Sequence, residues 1–163
     1  MPDVVAQDLM ALAQAALAAV LGGVVGWERE AAGKGAGLRT NMLACLGAFL
    51  FVKVGTLLVA PTLAAWSAMG LPLDSVVPDP TRLVQAIAVG MSFVGAGVVF
   101  RGPEGHQVHG LTTAATLLVV AAVGIAVAAE RYVLAVGVAL LTVVILRALL
   151  RFERLAADGA AGK

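Results

Sequence analysis

The chain has 163 residues, of which 61% are hydrophobic and 13% charged, and its formal net charge is +1. Soluble domains carry about 45–50% apolar and about 25% charged residues, so this composition excludes a conventional soluble enzyme and makes lipid the solvent for most of the chain. The near-neutral charge gives no electrostatic reason to expect a nucleic-acid partner.

A hydrocarbon core of about 30 Å takes about 20 apolar residues per helical crossing. Charge-poor stretches at about 7–27, 41–60, 84–100, 111–129 and 132–150 predict an all-α polytopic membrane protein with five transmembrane helices. Residues 1–150 form its transmembrane domain and 151–163 a short cytoplasmic tail. The runs are continuously apolar and lack the two-residue alternation of a membrane barrel. No Lys or Arg precedes the first run and no small-residue cleavage site follows it, so it reads as a retained span.

Along the first span, Ala11, Ala15, Ala19 and Gly23 recur at every fourth position, with Gly22 and Gly26 in the same kind of register. Ala88, Ser92 and Ala96 repeat the pattern in the third. Such faces are expected to pack on other helices, within the chain or in a homodimer. Where the first span ends, Trp27 reads as an interfacial anchor. The charges after it, Glu28, Arg29 and Glu30, with Arg39 nearby, suit an ion-pair network that ties the loop to the second helix. The alternative is a divalent cation held through the oxygens of Glu28 and Glu30.

Lys53, inside the second span, is expected to snorkel outward, toward Asp8. The longest connection, Pro61 to Leu83, is expected to lie over the outer face. At its end Asp79 reads as an N-cap, with Pro80 at the first helical position. Loop three carries Arg101, His106 and His109. The two histidines have no third ligand of clear spacing and read as solvated loop residues, not a zinc site. Spans four and five meet near Glu130-Arg131 in a tight helical hairpin. After Arg147 the chain reads as an interfacial helix end followed by a flexible Asp-Gly-Ala-Ala-Gly-Lys. The lone cysteine, Cys45, allows no internal disulfide.

Positive charge sets the orientation. One side carries Arg29, Lys34, Arg39, Arg101, Arg147, Arg151, Arg154 and Lys163, and the other only Arg82 and Arg131. This predicts an outer N-terminus and a cytoplasmic C-terminus. A shift of 73 residues lays Gly37-Leu38-Arg39-Thr40 on Gly110-Leu111-Thr112-Thr113, a weak duplication consistent with a parallel repeat of two helices. In both units a Gly-Leu-x-Thr element opens a helix. Its free amides could hold an anion or carboxylate, or its threonines could simply cap the helix.

Five segments in order, Gly-Trp-Glu-Arg-Glu at 26–30, Gly-Leu-Arg-Thr-Asn-Met-Leu at 37–43, Asp-Pro-Thr-Arg at 79–82, Phe-Val-Gly-Ala-Gly-Val-Val at 93–99 and His-Gly-Leu-Thr-Thr-Ala-Ala-Thr at 109–116, resemble the MgtC/SapB membrane protein family. The resemblance runs from about 17 to 150. It implies a bacterial inner-membrane protein of about five helices, associated with low-magnesium adaptation and virulence. Longer members append a cytoplasmic domain. Carried over by position, the ligand- or partner-binding residues are Glu28, Arg29, Glu30, Gly37, Arg39, Thr40, Asn41, Asp79, Arg82, Gly95, Gly97, Arg101, Gly110, Thr112 and Thr113.

No nucleophile and base pair supports catalysis, and no cofactor is implied beyond Mg2+. The resemblance implies a non-enzymatic function: regulation of other membrane proteins in magnesium or stress adaptation. The alternative is a small dimeric carrier or channel for magnesium or another cation, using backbone carbonyls at interruptions near Gly95 and Gly97.

Overall fold

The computed structural model describes residues 2–70, 79–101 and 108–161. Five helices form, α1 (Pro2–Ala31), α2 (Leu38–Ala68), α3 (Pro80–Val98), α4 (Leu111–Ala128) and α5 (Tyr132–Ala161), with a short ladder of β1 (Phe100–Arg101) and β2 (Val108–His109) between α3 and α4. Among the described residues, α1 to α4 are each long and apolar enough to cross a membrane, and α5 carries an apolar stretch over Tyr132–Ala148. In lipid each helix satisfies its own backbone, which is why apolar runs of this length fold this way.

Helix ends follow local chemistry. Asp79 caps α3 by accepting a hydrogen bond from the Thr81 amide, with Pro80 at the first position, as the sequence predicts. α4 ends in a C-terminal turn in which the Glu130 amide donates to Val127 and the Arg131 amide to Ala126. That pairing places Glu130 in the left-handed position, at φ 60.

Three expectations are corrected. α2 continues through Pro61 to Ala68, so the connection starting at Pro61 is shorter than the sequence suggests. Proline removes one bond of the helical ladder but does not end a helix whose neighbouring turns persist. What is left of that connection, 71–78, lies outside the described residues, and its placement over the outer face with it. α5 runs to Ala161, where a flexible end is predicted from Asp158 onward. In α3, Ser92 and Ala96 are exposed while Ile87 and Gly95 are buried, so the small-residue stripe is not the face packed within the chain. The helix presents the adjoining stripe, which packs Ile87 and Met91 against α2 and α4 and brings Gly95 onto Ala114.

Packing centres on α4, which buries Val120, Val123 and Val127 against α1, α2 and α5. Glycines set the closest approaches. A Cβ at Gly22 would stand 2.5 Å from the Asn41 carbonyl, and one at Gly26 2.8 Å from the Leu38 Cα. Gly124 lies against the Cys45 carbonyl still more tightly. α2 and α4 run parallel, and both start at the end where α1 and α3 finish. At the other end α4 stops at the level of Lys53, whereas α2 continues fifteen residues to Ala68, about 22 Å of helix.

Candidate functional site: the polar end of the helix pairs

The ends of α1 and α3 and the starts of α2 and α4 gather most of the motif residues. Glu28 and Arg29 are 3% and 2% exposed, and Arg29 Nη1 stands 3.9 Å from Glu28 Oε2. Asn41 is fully buried, its Nδ2 donating to the Ala36 carbonyl at 2.8 Å and the Gly37 carbonyl at 2.9 Å. Among the described residues, Glu28 Oε2, Arg29 Nε and Asn41 Oδ1 have no hydrogen-bond partner. Buried polar groups normally find partners, so three orphans near one helix-pair end mark a site with unused capacity for a ligand.

Glu30 works differently. Its Oε2 accepts a hydrogen bond from the Leu38 amide at 2.7 Å, tying the end of α1 to the start of α2. The predicted network thus exists in part: Glu28 pairs with Arg29 and Glu30 locks the loop. Arg39 is exposed and forms no ion pair among the described residues. Helix geometry turns position 39 away from the α1 contact made by Leu38 and Asn41.

The threonines do not cap. The N-caps of α2 and α4 are Gly37 and Gly110, neither helix start having a side-chain cap bond. Gly110 has φ 88 and lies against the Val98 carbonyl, an approach that leaves no room for a Cβ. Thr40 and Thr112 are exposed, and Thr113 is buried. Thr116, also buried, donates to the Thr112 carbonyl. Gly95 packs on Ala114, while Gly97 has open space around it. α3 runs unbroken through both, so the predicted interruption there is absent, and only its last-turn carbonyls lack helical partners.

Two members of the set lie elsewhere. Asp79 and Arg82 pair at the opposite end of α3, 3.7 Å apart. The Asp79 carboxyl is held below its ordinary range chiefly by hydrogen bonds from the Thr81 hydroxyl and amide. Only the backbone of Arg101 is described, and His106 lies outside the described residues. His109 stacks on Phe100 with ring centroids 5.5 Å apart. Among the described residues, no group of three or more His, Cys, Asp or Glu is close enough to hold a metal.

Sequence reasoning missed a second polar cluster, at the far end of α4. Gln14 Nε2 donates to the Tyr132 hydroxyl at 2.6 Å and reaches Glu130 Oε1 at 3.4 Å. Lys53 Nζ stands 3.9 Å from the same Oε1. Lys53 therefore meets Glu130, not Asp8, because the α4–α5 turn reaches its level and Asp8 lies further along α1. A polar residue inside an apolar stripe, Gln14, was the available signal.

These features define a polytopic helical membrane protein whose polar chemistry sits at helix ends, with apolar spans between. The family model described as MgtC family matches residues 15–155, and the chain belongs to the MgtC family. It is 36% identical over 130 residues to YhiD of Escherichia coli (strain K12), covering 80% of this chain and 56% of that protein. Against MgtC of Brucella abortus (strain 2308) it is 42% identical over 106 residues, 65% of this chain and 37% of the relative. SrpB of Synechococcus elongatus is 32% identical over 146 residues, 86% and 75% of the two chains. This chain thus spans about half, or less, of the first two relatives. No solved structure matches. Family and apolar helices together make it a multi-pass bacterial membrane protein.

Proposed function

We propose that this protein is a non-enzymatic component of the inner membrane, N-terminus outside and C-terminus cytoplasmic, that regulates another membrane protein in magnesium or stress adaptation. The contact surface is the polar end formed by α1, α2 and α4. One observation carries this reading: exposed Arg39, Thr40 and Thr112 stand at the same end as buried Glu28, Arg29 and Asn41, so recognition groups are mounted on a fixed polar base. Rigid support of exposed polar groups is what specific recognition requires. The magnesium connection comes from a relative whose printed name is "Putative magnesium transporter YhiD". Crosslinking in membranes followed by pull-down should recover a defined partner with the wild type and lose it with Arg39→Ala combined with Thr112→Val. Equal recovery would overturn the reading. A reporter fused after Lys163 should be active only on the cytoplasmic side.

A cation carrier is the second reading, favoured by the same relative's name and by the unpartnered oxygens Glu28 Oε2 and Asn41 Oδ1, which suit a hard cation. Protein in liposomes holding a magnesium-sensitive dye tests it. Flux above empty vesicles that disappears in Glu28→Gln supports a carrier, and no flux removes it.

A further inference from the structure

The cluster at the end of α4 plays no part in the function proposed above. Gln14, Lys53, Glu130 and Tyr132 come from α1, α2 and the α4–α5 segment and meet at one level of an otherwise apolar bundle. Three features set it apart from a simple helix-end contact. Lys53 is the one charged residue in the otherwise apolar stretch from Asn41 to Ala68. Glu130 holds φ 60 at a position where Gly is usual, and strain of this kind persists at ligand clamps. Gln14 is 5% exposed, yet its Oε1 has no partner among the described residues.

The charges in the cluster are only loosely paired. At 3.9 Å the Lys53 ammonium does not hydrogen-bond Glu130, so both keep capacity for a third group. The Glu130 side chain is 65% exposed and the Lys53 side chain 24%, so the pair is reachable from outside. α4 is 18 residues long, about 27 Å, which sets this level near one face of the hydrocarbon core. α1 and α2 both continue past the turn, which leaves the cluster at headgroup depth.

We propose that this cluster binds the headgroup of a phospholipid carrying a primary ammonium, as in phosphatidylethanolamine. The phosphodiester takes hydrogen bonds from Lys53, with exposed Arg131 beside it. The ammonium meets Glu130 and donates to Gln14 Oε1. An opposed pair of protein charges matches a zwitterion better than an anionic headgroup. A choline headgroup lacks N–H donors and leaves Gln14 Oε1 unsatisfied.

Delipidated full-length protein in detergent, mixed with equimolar phosphatidylethanolamine, phosphatidylcholine and phosphatidylglycerol, is read by native mass spectrometry. The wild type should retain the ethanolamine lipid about tenfold over the choline lipid, the scale of one charge-assisted hydrogen bond. Gln14→Leu and Glu130→Gln should erase that preference, and Lys53→Met should lower retention of every phospholipid. Lys53→Arg, which keeps the charge, should retain wild-type selectivity, and circular dichroism identifies any variant that has lost its helices. Equal retention of the three lipids by the wild type, a preference for phosphatidylglycerol, or unchanged selectivity in folded Glu130→Gln would overturn the proposal.

Discussion

Gly26 of α1 faces Leu38 of α2 so closely that a Cβ on the glycine would stand 2.8 Å from the Leu38 Cα. The obstacle is backbone, which cannot rotate aside as a side chain can. Gly26→Ala should therefore destabilise the protein by about 1–3 kcal/mol, the range for overpacking. Gly47, also in a helix, has nothing within 4 Å of its would-be Cβ. Gly47→Ala should be neutral or stabilising by up to about 1 kcal/mol, because alanine is the better helix former. Denaturation in detergent with the helical signal as readout separates the two.

The Glu28 and Arg29 pair predicts a non-additive result. Removing one partner leaves a buried charge without compensation, at a cost of about 3–5 kcal/mol, whereas replacing both can be nearly neutral. Arg29→Met should thus destabilise more than the double variant Glu28→Leu with Arg29→Met. Equal losses in a thermal denaturation series would mean that the pair is not coupled.

Glu30 acts on one amide. Glu30→Ala removes the acceptor of the Leu38 N–H and should cost about 1 kcal/mol, as losing a helix cap does. Hydrogen exchange should quicken at the first turn of α2 and remain unchanged at the start of α4, which Glu30 does not touch.

Asp79 gives a pH dependence with a definite sign. Its folded-state carboxyl titrates below the ordinary value because the Thr81 hydroxyl and amide favour the charged form. The contribution to stability is full above the ordinary carboxylate range and is lost as pH falls through the lowered value. Protection of the first turn of α3 should therefore fall on strong acidification in the wild type. In Asp79→Asn that acid-dependent loss should be absent.

Elements marked by strong local chemistry were legible in the sequence. Asp79-Pro80 marks the start of α3, and the Glu130-Arg131 break marks the hairpin, because capping and chain reversal depend on adjacent residues. The course of α2 past Pro61 was not, since proline is a warning that tertiary context can override. The stripe Ala88, Ser92, Ala96 misled for a related reason: small residues permit close approach without requiring it, and the register was decided by where Ile87 and Gly95 could meet other helices. At the motif-rich end, residue types announced a polar site. Which carboxylate pairs with Arg29 and which caps α2 depended on helix rotation, and so required the fold. Lys53 found Glu130 across 77 positions of sequence, a pairing set by the relative lengths of α2 and α4.

Cys45 is fully enclosed at the crossing where Gly22 of α1 closes on its Cβ and Gly124 of α4 on its backbone carbonyl. A thiol reagent can reach that sulfur only when these helices separate. The molecule therefore carries a single native probe of its own disassembly, and the labelling rate at this position would time the opening of the bundle without any engineered tag.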